Sequence, residues 1–406
     1  MHLDLNSCFA TIEQQANPRL RGKPIAVAAY NSPSGCILAP SVEAKKLGIK
    51  TGFKVREAKM LCPNLIVLLP DPNKYRNIHL KFRAVLEAYS DKVTPKSIDE
   101  FILDLTTSPA LKKGVKEVSL EIKQRIKEEI GEWLTISVGI APNRFLAKTA
   151  AGLHKPDGLD VIDKSNYLEI FKSLKLVDLC GIKAKNAARL NNMGIYTVLD
   201  FFNSPIWKLK AAFKSITGYY WWCRLHGWEI DETLSKRGSF GNSFALPKPL
   251  VTPEELAPIL QKLVEKMGFR MRQAGFRARG VHLSILYRDF DYWHQGISSP
   301  NFLFDSRDIY RIIFNLLLKC PNQKSVRELA VSCFNLQKDT FTQMSLFEDL
   351  KVKNNLVKAM DNINERWGDF IITPATMMET QDLMPDRISF GGVKGLEEII
   401  RSEMVK

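Results

Sequence analysis

Two separate stretches of this 406-residue chain alternate strand-like and helix-like patterns, and this alternation constrains the fold more than any other feature. In the first stretch, "HLDLNSCFA" and "KPIAVAA" predict strands, and Val118, Ile122 and Ile126 recur every fourth residue, as in an amphipathic helix. The segment "LTISVGI" then alternates apolar residues with small or polar ones, as in a half-buried strand. Strands separated by helices of this length predict an α+β or α/β domain over residues 1 to about 163.

The second stretch, residues 240–337, has the order βαββαβ, which is typical of a ferredoxin-like split βαβ arrangement. Its first helix is expected to present one apolar face, made of Leu256, Ile259, Leu260, Leu263 and Met267. Between the two stretches, residues 164–232 predict short helices, and the polar segment "DETLSKRGSFGNS" predicts a linker. A chain of this length and pattern is expected to be an α+β protein of several domains.

The charge and the cysteines narrow the class of function. A formal net charge of +14 favours a polyanionic partner, and without a lipidation motif nucleic acid is preferred over a membrane surface. No apolar run reaches the length of a membrane span, and the N-terminus lacks a signal-peptide pattern. The seven cysteines include no C-x-x-C pair, so we expect a reducing cytoplasm rather than disulfides or a zinc ribbon.

An Asp and a Glu stand side by side in "KSIDEFILDL", where the chain enters an apolar run. Successive strand residues face opposite ways, and an unpaired buried carboxylate is costly. Asp99 and Glu100 are therefore either the polar end of a strand or part of a bend where both face one cation. Pro95 disfavours a regular central strand, so "VTPK" and "FILDL" can form a hairpin with its bend at 97–100. Asp4 from the first strand would add a third carboxylate, a donor set that suits Mg²⁺ and phosphoryl transfer.

Two lysines lie in "AKTAAGLHKPDG", and Lys155 precedes a Pro-Asp-Gly turn. A lysine on such a turn can reach a phosphate, although a solvated loop lysine is the alternative. The other lysine of the segment is Lys148. The motifs G-x-x-x-x-G-K-[ST], G-x-S-x-G and H-E-x-x-H are all missing, so a P-loop NTPase, an α/β-hydrolase and a zincin protease are unsupported.

Four motifs together resemble those of Y-family, translesion DNA polymerases, in the family's order and spacing over about residues 1–347. They are "HLDLNSCFATIE…NPRLRGKPIAV", "SVEAKKLGIKTG", "SIDEFILDLT" and "SVGIAPNRFLAKTAAGLHKPDG". The resemblance implies a right-hand polymerase with a ferredoxin-like palm, small fingers, a helical thumb and a βαββαβ little finger. The limits it implies are palm 1–12 and 71–163, fingers 13–70, thumb 164–232, linker 233–239, little finger 240–338 and C-terminal tail 339–406.

The resemblance also implies a set of site residues. Asp4, Asp99 and Glu100 match the catalytic carboxylates, and the metal ligands are Asp4, Leu5, Asp99 and Glu100. The implied cofactor is two Mg²⁺ ions, for which Mn²⁺ can substitute. The nucleotide-binding positions are Ser7, Cys8, Phe9, Lys45 and Lys155. Phe9 matches the steric-gate aromatic, whose ring leaves no room for a ribose 2′-hydroxyl.

Two positions depart from the family pattern in the "SVEAKK" segment. Val42 stands where the family often has Tyr, and Lys45 stands where it often has Arg. Val42 offers no hydrogen bond, and a lysine gives a point charge instead of a planar fork. A nearby hydroxyl is also missing, with Ala39 close to its place. A chain without this Tyr is more similar to the polymerase V catalytic subunit (UmuC-like) than to polymerase IV, within the UmuC-like and DinB-like group.

Further resemblances concern DNA and protein partners. "LCGIKAKNAARLNNMGI" resembles a helix-hairpin-helix, which implies phosphate contacts at Gly181, Lys183 and Lys185. "QMSLF" resembles a peptide that binds the sliding clamp of the beta type, with contacts at Gln343, Ser345, Leu346 and Phe347. The aromatics of "GYYWWCRLHGWE" are expected to pack in a core rather than stack on bases.

The resulting expectation is a low-fidelity, template-directed DNA polymerase without proofreading, acting on primer–template DNA and dNTPs. It would be a cytoplasmic monomer, in no contact with a membrane, and an accessory subunit is left open. Two alternatives are a clamp-tethered DNA-binding scaffold that has lost catalysis, motivated by Val42 and Ala39, and a nucleotide cyclase. A cyclase fits neither the thumb-like hairpin nor the clamp peptide.

Overall fold

The chain divides near residue 233 into two units, the first with two sheets and the second with one. The structure, a computed structural model, describes residues 1–232, 237–321, 324–338, 350–368, 370–380 and 383–384. Within those ranges no helix is both long and apolar enough to cross a lipid bilayer.

A five-stranded sheet forms the centre of the first unit, with strand order β5-β6-β1-β7-β8. Its strands are β1 (His2–Leu5), β5 (Val93–Pro95), β6 (Glu100–Leu103), β7 (Ile136–Ile140) and β8 (Leu159–Val161). The helices of this part are α1 (Cys8–Ala16), α4 (Pro72–Glu87), α5 (Val115–Arg125) and α6 (Arg144–Leu153). Apolar side chains of α1, α4 and α5 pack with those of β1, β6 and β7 in one core. Because β1 pairs with both β6 and β7, its polar residues are held at fixed positions in the middle of the sheet.

A three-stranded sheet with order β3-β2-β4 belongs to the same unit. Its elements are β2 (Ile25–Ala28), β3 (Ile37–Pro40), β4 (Ile66–Leu68), α2 (Val42–Lys46) and α3 (Val55–Leu61). The predicted strand in "KPIAVAA" is confirmed by β2. Short 3₁₀ and π turns lie at Pro18–Leu20, Pro109–Lys113, Ile126–Ile130 and Leu176–Asp178.

The strand predicted over "HLDLNSCFA" is too long, because β1 ends at Leu5 and α1 begins at Cys8. Ser7 adopts a left-handed backbone conformation with φ of 49°, which turns the chain out of the sheet. Cys8 and Phe9 therefore lie in the first turn of a helix and not on a strand. Apolar periodicity did not reveal the turn, because the buried residues continue from β1 into α1.

Residues 164–232 are helical as predicted. The helices are α7 (Tyr167–Ser173), α8 (Ala184–Asn191), α9 (Val198–Asn203), α10 (Ile206–Phe213) and α11 (Thr217–Leu225). The aromatic side chains of α11 lie in two environments: Trp221 packs in the core, whereas Tyr219 and Tyr220 are exposed. The expectation of core packing is therefore correct for only part of "GYYWWCRLHGWE".

The second unit has the predicted βαββαβ order. Its elements are β9 (Ser239–Leu250), α12 (Pro253–Gln273), β10 (Phe276–Tyr287), β11 (Tyr292–Leu303), α13 (Ser306–Leu318) and β12 (Val326–Lys338). All pairs of the sheet β11-β10-β12-β9 are antiparallel. The predicted apolar face of α12 is confirmed, since all five of its residues are buried.

One helix of the second unit was not predicted. α14 (Leu350–Trp367) is followed by a 3₁₀ helix at Ala375–Thr380. Arg272 on α12 donates two hydrogen bonds to the Asp361 carboxylate on α14, at 2.7 and 2.8 Å. This bidentate ion pair ties α14 to the unit.

Candidate active site

The three predicted carboxylates meet where β1 pairs with β6. Asp4 lies directly opposite Glu100 in the antiparallel register, and the Leu5 N–H donates to the Asp99 carbonyl at 2.9 Å. The predicted hairpin is confirmed: β5 pairs with β6, and the N–H groups of Lys96 and Ser97 both donate to the Glu100 carbonyl. Because Asp99 belongs to the bend, the two-face alternation of a strand does not apply to the pair.

Each of two carboxylates is paired with a lysine. The Lys155 ammonium lies 2.6 Å from Asp4 Oδ2, and the Lys148 ammonium donates to both oxygens of Glu100, at 2.7 and 2.6 Å. Gly139 on β7 allows α6 to come this close, because a Cβ there would lie 2.0 Å from the Ala147 carbonyl oxygen. The two ammonium groups balance the negative charges of Asp4 and Glu100.

Burial and the neighbouring charges shift the pKa values of the three carboxyl groups in different directions. Burial disfavours the charged form of Glu100, but the hydrogen bonds from Lys148 outweigh it and hold its pKa below the ordinary value. Burial raises the pKa of Asp4 in spite of the Lys155 ammonium. Burial also raises the pKa of Asp99 to about 6, which a hydrogen bond from Ser97 opposes and the charges of Asp4 and Glu100 reinforce.

Asp99→Asn is expected to stabilise the cation-free protein above pH 6. The pKa of Asp99 is about 6 in the folded protein and near 3.8 in the unfolded chain. The ionised Asp99 therefore opposes folding above pH 6. This effect disappears below about pH 4, where Asp99 is protonated in both states. With partial solvent screening, the gain is on the order of 1 kcal/mol at pH 7.5. Urea unfolding in EDTA measures it. A gain of equal size at pH 4 and pH 7.5 would show that the charge is not the cause.

A cavity of about 450 Å³ adjoins Asp4 and Asp99. The predicted nucleotide-binding residues Ser7, Cys8, Lys45 and Lys155 all line it, together with the departing positions Ala39 and Val42. The Ser7 hydroxyl is buried without a hydrogen-bond partner among the described residues. The site thus combines a carboxylate edge with a wall that carries the ammonium groups of three lysines, Lys45, Lys46 and Lys155, which suits a metal-bound polyphosphate.

Phe9 is placed differently from the other predicted nucleotide-binding residues. It is fully buried in the core and stacks on Tyr75, with ring centroids 4.4 Å apart. Tyr75 in turn donates to the Glu13 carboxylate at 2.9 Å. The packing role of Phe9 is evident, and its gate role stays a prediction.

The turn that carries Lys155 is held by residues that the sequence did not single out. Asn6 donates to the Ser137 hydroxyl at 2.9 Å and accepts from the Asp157 N–H at 2.8 Å. Lys123 lies 2.9 Å from the Asp157 carboxylate. A polar Asn6 and a polar His2 on either side of Asp4 were the available signal, since polar residues are uncommon in a buried strand.

The residues present suit a hard divalent cation. One ligand atom from each of His2, Asp4 and Glu100 lies within 4.8 Å of the others, and Asp99 lies on the adjoining cavity wall. Carboxylate oxygens are the donors that Mg²⁺ prefers. Asp4, Asp99 and Glu100, with the Leu5 backbone beside them, are the groups that would hold it.

The predicted DNA contacts lie on the loop before α8. Gly181 has φ of +93°, and Lys183 and Lys185 are exposed at the start of α8. The predicted clamp residues Gln343, Ser345, Leu346 and Phe347 lie outside the described residues.

Comparison with known proteins gives a consistent set of similarities. Models of the impB/mucB/samB family and of its C-terminal domain match residues 3–152 and 237–346. "DNA polymerase IV" of Pelotomaculum thermopropionicum is 32% identical over 391 residues, covering 95% of this chain and 96% of its own. "DNA polymerase IV 1" of Bacillus subtilis is 30% identical over 409 residues, covering 96% and 95%.

Two solved structures are similar over most of the chain. A Y-family DNA polymerase chimera matches with a TM-score of 0.73 at 25% identity, covering 82% of this chain and 98% of its own. The insertion ternary complex of Dbh DNA polymerase matches with a TM-score of 0.58 at the same identity and coverage.

Proposed function

We infer the chemistry of this chain from one premise: it belongs to the impB/mucB/samB family and is a DinB-like, Y-family translesion DNA polymerase. It is a DNA-directed DNA polymerase with the α+β fold of that family, and the family depends on divalent metal ions. The relatives named above are called DNA polymerase IV, which supports the DinB-like side of the group over the UmuC-like side. The scaffold without catalysis is not favoured.

The proposed reaction is transfer of a nucleotide from a dNTP to a primer 3′-hydroxyl. The primer 3′-hydroxyl loses its proton to water and its oxygen forms a bond to the α-phosphorus. The bond from that phosphorus to the oxygen that bridges to the β-phosphate breaks, and pyrophosphate leaves. Two Mg²⁺ ions, when bound, supply the charge that stabilises the attacking and leaving oxygens. Asp4, Asp99 and Glu100 would hold the ions, and Glu100 would orient the primer end. The convergence of these carboxylates beside a cavity lined by Lys45 and Lys155 is the observation that carries this proposal.

The lysines are proposed to exchange partners when substrate binds. Lys155, whose side chain is 39% exposed, would leave Asp4 for the triphosphate. Ser7 and the first N–H groups of α1, a nine-residue helix, would meet the phosphates, and the helix dipole favours that charge. Primer extension by the purified chain, with Lys155→Ala as the comparison, tests this grip through the KM for dNTP.

Binding of the dNTP triphosphate is expected to tighten when Val42 and Lys45 are replaced by the residues that the family often has there. Val42→Tyr with Lys45→Arg restores a hydroxyl donor and a planar fork on the cavity wall. We expect the KM for dNTP to fall about 3- to 10-fold, the equivalent of one net hydrogen bond. Single-nucleotide insertion kinetics measure it, with Lys59→Arg on α3, an exposed lysine outside the cavity lining, as the control. An unchanged KM would mean that other residues already bind the triphosphate fully.

The remaining organisation is proposed on the family's pattern. Primer–template DNA and dNTPs are the substrates, and the palm, fingers, thumb and little finger have the limits given above. Gly181, Lys183 and Lys185 contact DNA phosphates, so binding weakens steeply with salt. Phe9 serves as the steric gate. We also propose that the polymerase has low fidelity and no proofreading. It would be a monomeric polymerase chain in the cytoplasm, with or without an accessory subunit.

A sliding clamp of the beta type is the proposed protein partner. Leu346→Ala with Phe347→Ala should abolish the increase in product length that added clamp gives, an effect of about tenfold from tethering. Extension without clamp should stay unchanged, and Ser345→Ala serves as a milder control. If the double variant still responds fully to the clamp, the peptide is not the contact.

A further inference from the structure

His2 is a buried side chain whose polar atoms lack partners. It is 1% exposed, and neither ring nitrogen has a hydrogen-bond partner among the described residues. A buried, unsatisfied nitrogen costs about 1–3 kcal/mol. Its position is fixed, since the backbone of His2 pairs with Ile102 on one side and Gly139 on the other. Such a residue calls for a physical reason.

The Glu100 carboxylate is an acceptor beside His2. The His2 Nε2 atom lies 3.8 Å from Glu100 Oε2, slightly beyond hydrogen-bond range. Both Glu100 oxygens already accept from Lys148, whose side chain is 37% exposed and can swing towards solvent. His2 is enclosed by the sheet and must stay beside Glu100.

We propose that His2 is the positioning residue that hydrogen-bonds Glu100 once a divalent cation has displaced Lys148. The inference rests on the proposed two-metal function. A carboxylate that gives one oxygen to a metal is normally held at the other by a hydrogen-bond donor. An ammonium group beside the metal would repel it, whereas a neutral imidazole does not. His2 is 1% exposed, and an imidazole in its neutral form keeps one N–H that can donate.

The exchange of Lys148 for a cation explains both the Lys148–Glu100 ion pair and the unsatisfied His2. While Lys148 donates to both Glu100 oxygens, it balances their charge and His2 has no partner among the described residues. In the loaded site, a shift of a few tenths of an ångström brings Glu100 into range of Nε2. Nε2 thus gains a partner when the metal binds, which removes its share of the cost and adds to metal affinity.

Three substitutions at His2 separate this role from simple packing. His2→Gln places an amide donor near the position of Nε2, His2→Asn places one near Nδ1, and His2→Phe keeps a flat ring without a donor. Mn²⁺ affinity is measured by electron paramagnetic resonance on the full chain with primer–template and dNTP. The primer ends in a 2′,3′-dideoxynucleotide, so no reaction occurs. A tag belongs at the C-terminus, because the Met1 amine donates to the Leu103 carbonyl.

We expect His2→Phe and His2→Asn to weaken Mn²⁺ binding about 10- to 100-fold, and His2→Gln to stay within about threefold of wild type. Equal affinities of the Gln and Asn variants, or wild-type affinity of the Phe variant, would overturn the assignment. Asp4→Asn is the control for the premise. If wild type shows no Mn²⁺ binding that depends on Asp4, the two-metal function itself fails and not only the role of His2.

Lys148→Met is a second test of the exchange, and it leaves the buried strand β1 unchanged. Because Lys148 competes with the cation for Glu100, its removal should tighten Mn²⁺ binding by roughly tenfold, the size of one screened charge pair. Unchanged or weaker binding would overturn the exchange, even if the His2 variants fold too poorly to be measured.

Discussion

Replacing both Asp99 and Glu100 by alanine is expected to abolish nucleotide incorporation. The two residues supply most of the carboxylate oxygens at the β1–β6 edge, and Asp4 alone, paired with Lys155, would not hold two cations. Removing a single electrostatic group from an active site costs about 10²–10³ in kcat, so the double variant should lose at least 10³-fold. Single-turnover primer extension with Mg²⁺ measures the loss.

The double variant must remain folded and able to bind DNA for this result to be informative. Burial disfavours the charge of Asp99, so its removal does not threaten the fold. Asp104→Ala is the matched control: it removes a carboxylate just after β6 that accepts from the Thr106 N–H instead of facing the site. Retention of more than about a tenth of wild-type activity in the double variant, with Asp104→Ala fully active, would contradict the proposed roles.

Replacing Phe9 with a smaller residue is expected to weaken sugar selection strongly. If the ring excludes a 2′-hydroxyl, Phe9→Val should raise ribonucleotide insertion relative to deoxyribonucleotide insertion by about 10²-fold, near the upper end for steric selection. The ratio of kcat/KM values for rATP and dATP gives the result. Valine is preferred to alanine because Phe9 is fully buried, and Phe→Ala in a core costs about 3–5 kcal/mol.

Loosening of the core alone could also change selectivity, so a second aromatic in the same core is the control. Phe82 is 2% exposed and belongs to the cluster that contains Phe9. Phe82→Val should lower stability by a similar amount and leave the sugar ratio unchanged. An equal rise in both variants would mean that Phe9 acts through packing and not as a gate.

The sequence predicted those features that depend on local pattern. The bend before Glu100 followed from Pro95 and from the side-by-side acids, and the buried face of α12 followed from its periodicity. The βαββαβ order also followed from pattern, because the other strands and both helices carry apolar signals, and the largely exposed β11 follows β10 as its hairpin partner. Such features are set by neighbours within a few residues.

The features that the sequence did not predict depend on contacts between distant residues. Lys148 and Glu100 are 48 residues apart, and their contact requires α6 to pack closely on β7 at Gly139. The unsatisfied imidazole of His2 and the raised pKa of Asp99 arise from burial, which only the assembled sheet creates. The end of β1 was missed because the turn at Ser7 is a backbone conformation without a characteristic residue type.

Primer extension opposite an abasic site decides whether this chain copies damaged DNA with its own carboxylate site. The purified chain, Mg²⁺, dNTPs and a primer ending one base before the lesion are sufficient. We expect insertion opposite the lesion and extension beyond it by the wild-type chain, and neither by the Asp99→Ala/Glu100→Ala variant. If wild type extends neither intact nor abasic templates with Mg²⁺ or Mn²⁺, or if both proteins extend equally, the proposed mechanism is wrong.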